Sequence, residues 1–224
     1  MTTAVFDGSF DGLLELSEFL RASRAHFDEV SDKEDNSSLF SENIYADTDA
    51  KPKYELLDTA RLKTVFLAND NATYKTIVRH YIESIEEAPT LETNAKLTEL
   101  EHIVSREAHK YKGFIRFEMS EFGFFARIAP KHDILPLIAP HFWERFGDDR
   151  AIADESRGVV ALIDQNGYRI VRATADRFEK HESEKKFEGL WKRFFDKVAI
   201  KERTNDKLQK QMIPLRYREF MNEF

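Results

Sequence analysis

The hydrophobic period of this chain changes near residue 113, and that change constrains its fold more than any single motif. Before it, apolar residues recur three and four positions apart: Phe10, Leu13, Leu14, Leu16, Phe19 and Leu20, then Leu56, Leu57, Ala60, Val65 and Phe66, then Tyr74, Ile77, Val78, Tyr81, Ile82 and Ile85. This is the spacing of helices with one apolar face. Ser9 is placed to cap the first helix, with Asp11 favouring its first turn. Pro89 ends the third, and a fourth is expected over residues 93–110. Residues 114–118 and 122–128 then alternate with period two, as strands joined by a tight turn near Ser120, with Ile115 and Phe117 on one face. A helix over 133–145, bent at Pro136 and Pro140, leads to strands over 157–164 and 168–173 around Gln165, Asn166 and Gly167, a hairpin signal. The last fifty residues read as helical, with Phe187, Leu190, Trp191, Phe194, Phe195 and Val198 on one stripe.

This order predicts an α+β fold: a central antiparallel sheet flanked by helices at both chain ends. The chain is expected to form one compact unit over 1–224, within which a helical part over 1–110 precedes an α+β part over 111–224. Residues 4–6 read as a short edge strand. The stretch 28–53 loses all periodicity and is rich in Asp and Glu, so it reads as a mobile acidic loop, with Phe40, Ile44 and Tyr45 pinning its middle.

With 42% hydrophobic residues, the 224-residue chain is able to bury a core, which excludes disorder throughout. The absence of cysteine excludes a thiolate-held cluster, a cysteine zinc site, a cysteine nucleophile and disulfides. A reducing, cytoplasmic setting without membrane association is expected, since no segment approaches the roughly 18 apolar residues of a membrane span.

Net charge is −7, which by itself argues against contact with phosphates. Its distribution changes that reading. Residues 1–100 hold 10 Lys and Arg against 20 Asp and Glu, whereas residues 101–224 hold 24 against 21. Over 177–218 there are 13 basic and 7 acidic residues, the pattern of a solvated helical face or of an anion-binding surface.

Several groups of residues are suited to chemistry. Glu99, His102, Arg106 and His109 share one helical face, and Glu-x-x-His is a spacing of di-iron sites. No second copy of the motif accompanies it, so neither a metal nor any other cofactor is expected, and a polar face with a histidine near the helix C-terminus is the simpler reading. Arg116 and Arg127, with Phe114 and Phe125, would form a guanidinium and aromatic sheet face that grips phosphates and stacks bases, unless helices cover that face. Asp154 and Arg157, three apart, either fix a turn as a bidentate pair or aim at a ligand, the former being favoured. His141 and Arg145 share a helix face away from Trp143. Arg216, Tyr217 and Arg218 near the C-terminus either complete the fold or face a ligand. Gly-rich phosphate loops and the Gly-x-Ser-x-Gly elbow are absent from a chain with only 8 glycines, which argues against the common nucleotide hydrolases.

Taken in order, Asp7-Gly8-Ser9-Phe10-Asp11-Gly12-Leu13, His109 to Phe117, Ala126 to Pro130, His141 to Phe146, Ile152 to Arg157, and Asn205, Lys207, Leu208 and Gln209 leading to Pro214, Arg216 and Tyr217 resemble a bacterial family labelled as DNA metabolism proteins. The resemblance implies a companion of a radical-SAM protein suspected of DNA modification or repair, a type of domain also found fused to uracil-DNA-glycosylase-like domains. The chain lacks the cysteine triplet of a radical-SAM cluster, so by resemblance it is the companion. Met212-Ile213-Pro214 departs from the family's usual Met-Pro junction.

Three functional expectations follow. In the first, the chain is an accessory module in DNA metabolism or repair that meets DNA or a DNA-bound partner through Lys110, Arg116, Arg127, Arg145, Arg216, Tyr217 and Arg218, with Arg157 as an additional contact. In the second, it is an enzyme acting on a nucleobase or phosphodiester, with His109 or His141 as general acid or base beside Asp154 and Arg157. In the third, it is a protein-only scaffold.

Overall fold

A computed structural model describes residues 2–33, 42–46, 51–121, 123–174, 181–198, 205–218 and 220–221. The chain divides into two compact units, Met1–Ser105 and Arg106–Phe224.

The first unit is built on a three-stranded parallel sheet in the order β2-β1-β3, formed by β1 (Thr2–Val5), β2 (Glu29–Ser31) and β3 (Glu42–Tyr45). Thr3 is paired with Glu29 on one side and Asn43 on the other. The strand expected at an edge is therefore the central one, and the acidic stretch expected to be a loop supplies both of its neighbours. Strands of three and four residues are too short to show a period, and parallel strands need not alternate. Residues 34–41 and 47–50 of that stretch, Phe40 included, lie outside the described residues.

Helix α1 (Phe10–Ser23) follows β1 and is capped as the sequence predicts, with the Ser9 side chain accepting from the Gly12 amide. It packs on α3 (Asn71–Glu86), beside α2 (Thr59–Phe66). The core between them holds Leu13, Leu14, Leu16, Leu62, Val65, Ile77, Val78 and Tyr81, all without solvent contact. Each such Leu contributes about 1.5–3 kcal/mol through burial.

Helix α4 (Leu91–Phe114) runs into the second unit. It extends beyond the expected 93–110, and it takes Phe114 out of the strand expected over 114–118. Ala108 and Tyr111 are buried on one side of it, so three- and four-residue spacing continues where the short alternation also fitted.

The second unit carries a five-stranded sheet in the order β4-β5-β6-β7-β8: β4 (Glu118–Ser120), β5 (Gly123–Ile128), β6 (Arg150–Asp154), β7 (Val159–Asp164) and β8 (Gly167–Arg172). The α+β class is as expected, and three of its pairings are antiparallel, but β5 and β6 run parallel. Their crossover is α5 (Leu135–Phe146), which packs across β6, β7 and β8. Pro136 sits in the first turn of α5, where its missing donor is not needed, and does not interrupt the helix; Pro140 lies inside it. Gly123 is required at the start of β5. Its φ is +108°, and a Cβ there would lie 2.6 Å from the carbonyl oxygen of Asp149.

Among the described residues that follow are α6 (Glu182–Val198), α7 (Asp206–Met212) and a 3-10 turn, Leu215–Tyr217. The N-terminal end of α6 is tied to β4: the His181 amide donates to the Met119 carbonyl, and the Glu184 carboxylate accepts from the Met119 amide.

Candidate nucleic-acid interface

At the carboxyl ends of the parallel strands β5 and β6, Asp154 ends β6 and Arg157 follows it by three residues. Asp154 Oδ1 accepts from the Ser156 and Arg157 amides, and its Oδ2 lies 3.0 Å from Arg157 Nη1. The guanidinium also donates to the carbonyls of Pro130 and Lys131, in the loop leaving β5. Both terminal nitrogens of Arg157 are thus spent on holding the two strand ends together, the structural alternative of the sequence reading. Burial pushes the Asp154 carboxyl up, against the opposing charge of Arg157 and the two amides. Burial also raises Asp133 in the same loop, again opposed by Arg157.

Behind this loop, Glu107 of α4 receives the Lys131 and His132 amides, and its Oε2 lies 2.6 Å from His132 Nδ1. Burial would raise this carboxyl, but the hydrogen bonds from the His132 ring and the two amides outweigh it and hold it low. Sequence reasoning missed this pair. Its only signal is that Glu107 falls on the apolar face of α4 defined by Val104, Ala108 and Tyr111.

The expected guanidinium and aromatic face between Arg116 and Arg127 does not form. Arg116 lies outside β4, and its Nη1 donates to the carbonyls of Gly113 and Ile115. Arg127 on β5 is 3.6 Å from Glu155 and lies over the Phe125 ring at 5.5 Å. Tyr217 is only 3% exposed. Its ring meets those of Tyr111 and Phe114, with the Lys110 ammonium 5.7 Å from its centre, so it completes the fold rather than stacking on a ligand. Arg218 Nε donates to the Ile213 carbonyl, and the Arg216 side chain lies outside the described residues.

His109 is exposed on α4, and His141 is half-buried on α5. Burial lowers the His141 imidazole, and the positive charges of Lys112 and Arg145 lower it further, which favours its neutral form. Arg145 is exposed beside the Phe146 ring and forms no ion pair among the described residues.

Two further aromatic surfaces stand out. Phe124, Arg150, Ile163 and Tyr168 are register partners in one row across β5 to β8. The Arg150 guanidinium lies 3.7 Å from the centre of Phe146, 4.6 Å from Phe124 and 4.8 Å from Phe117, and is held by both carboxylate oxygens of Asp148. The second surface is on α6, where the stripe read from the sequence faces solvent: Phe187, Leu190, Trp191, Phe194 and Val198 are 45–60% exposed. The Phe195 side chain lies outside the described residues. Amphipathicity was legible in the sequence; that no element of the described chain covers the stripe was not.

The described helices include none that is long and apolar enough to cross a membrane, and no group of three or more metal-ligating side chains occurs among the described residues. A family model described as a domain of unknown function matches residues 68–223, which include all of the second unit's described elements. No curated protein and no solved structure matches the chain.

Proposed function

Starting from the membership of this chain in the DUF4130 family, we propose that it is an accessory module in DNA metabolism or repair that docks on a protein partner through α6 and meets DNA through the basic C-terminal region. The observation that carries this reading is the uncovered apolar stripe of α6. Five large apolar residues on one helix, each about half exposed, form the kind of surface that a partner's groove covers. Helical geometry places Lys186, Arg193 and Lys197 together along one edge of that stripe, which suits acidic groups or phosphates. The second unit as a whole holds 24 Lys and Arg against 20 Asp and Glu, a net of +4, whereas the first holds 10 against 21, a net of −11. The sequence resemblance makes a radical-SAM-type protein the partner to test, in a cytoplasmic setting.

The enzyme reading draws less support, because Arg157 and Asp154 are occupied by each other and by backbone groups of the adjoining loop and turn. The test has two parts. The radical-SAM-type protein, co-expressed with this chain, is expected to co-purify with it and to be lost on Trp191→Glu, a change that leaves stability within about 0.5 kcal/mol because the residue is exposed. Labelled DNA should bind in fluorescence anisotropy, with log affinity falling as log salt rises. Association without DNA binding at low salt would leave the protein-only scaffold. Loss of both would overturn the proposal.

A further inference from the structure

Apart from the α6 stripe, the geometry points to a base-stacking surface for single-stranded nucleic acid, formed by Phe124 and Phe146 beside Arg150 together with the Trp143 and Tyr168 pair. This rests on the reading that the chain works at DNA, but not on α6. The four rings are 36–43% exposed and come from three elements that the register and α5 bring to one end of the sheet. Trp143 of α5 lies 6.4 Å from Tyr168 of β8. Phe146 stacks parallel to the buried Phe142, at 6.2 Å and 3°, and Phe117 meets both edge-on. Phe146 is therefore held in place before any ligand arrives, which lowers the ordering cost of binding there.

The charge arrangement selects the occupant. Two of the three Arg150 guanidinium nitrogens are held by Asp148 while the group lies among the rings, whereas Arg145 is exposed at the rim, without an ion pair among the described residues, and is free to meet a phosphate. Glu144, Asp148 and Asp149 are close in sequence to Arg145 and Arg150, so these five residues sum to a net charge of −1 and offer no run of cations. A duplex, whose base faces are hidden and whose affinity depends on many cations, gains little here. A single strand exposes base faces that stack on aromatic rings irrespective of sequence, with one or two phosphate contacts beside them.

The test uses the full chain with Trp191→Phe, which leaves Trp143 as its only tryptophan. Adding a short labelled oligothymidylate is expected to quench Trp143 fluorescence and to bind more tightly than a duplex of equal length. Trp143→Ala and Tyr168→Ala, each melting cooperatively, should weaken single-strand binding about tenfold, with the salt slope unchanged. By contrast, reversing Lys186, Arg193 and Lys197 to Glu should reduce the salt slope and spare the quenching. If folded Trp143→Ala and Tyr168→Ala proteins bind the single strand as well as the parent, this surface is not the site, while the proposed DNA role stands. If the parent binds no DNA at low salt, both fail.

Discussion

The carboxylate of Glu107 and the imidazole of His132 are 2.6 Å apart, with only 3% and 7% of their side chains exposed, and they join α4 to the loop that follows β5. The same carboxylate takes two amides of that loop, so a single acidic side chain fixes the start of the β5-to-β6 crossover. Removing one member of a buried pair strands the other. His132→Ala or Glu107→Leu is therefore expected to cost about 3–5 kcal/mol in urea unfolding. Because Glu107 is held below its ordinary 4.5, its contribution is complete above that pH and is lost as pH falls through the folded-state value. A single-variant cost below 1 kcal/mol would show that the pair does not hold the loop.

At the other end of the chain, Asp7 Oδ1 accepts from both the amide and the hydroxyl of Ser9, and that hydroxyl accepts from the Gly12 amide. These hydrogen bonds hold the Asp7 carboxyl low. A Cβ at position 12 would lie 2.1 Å from the Asp7 oxygen, so any side chain there must displace the carboxylate. Ser9→Ala should cost about 1 kcal/mol as a lost helix cap. Gly12→Ala should cost at least as much, although alanine normally favours a helix over glycine. Thermal unfolding of both variants checks this, and a stabilised Gly12→Ala would contradict the packing.

His141 supplies a pH dependence with a definite sign. Its folded-state imidazole is held below the ordinary 6.5, first by burial and then by Lys112 and Arg145. The folded state therefore binds fewer protons than the unfolded one, and stability is complete above about pH 6.5 and declines as pH falls below it. His80 on α3 behaves in the same way through burial, followed by Arg61. Urea midpoints measured from pH 8 to 5.5 should fall, and His141→Gln should flatten part of that fall. If neither His141→Gln nor His80→Gln changes the slope, the assignment is wrong.

Local features were legible in the sequence because their causes are local. Ser9 caps α1 through an amide three residues on, the β7–β8 hairpin turns at Gln165 and Asn166, and the apolar spacing of α1 and α3 defines the faces they bury. The sequence by itself also determined the α+β class and excluded thiolate chemistry. Tertiary structure decided the parallel pairings, which join strands separated by whole helices and leave no mark on either strand alone. It decided that Arg157 holds a loop and that Tyr217 is buried, because the partners of each lie about 25 or about 100 positions away. It also brought Phe124 and Phe146 to Arg150 and Trp143 to Tyr168, since a ring's neighbours across a sheet depend on register, and register is a property of pairs of strands.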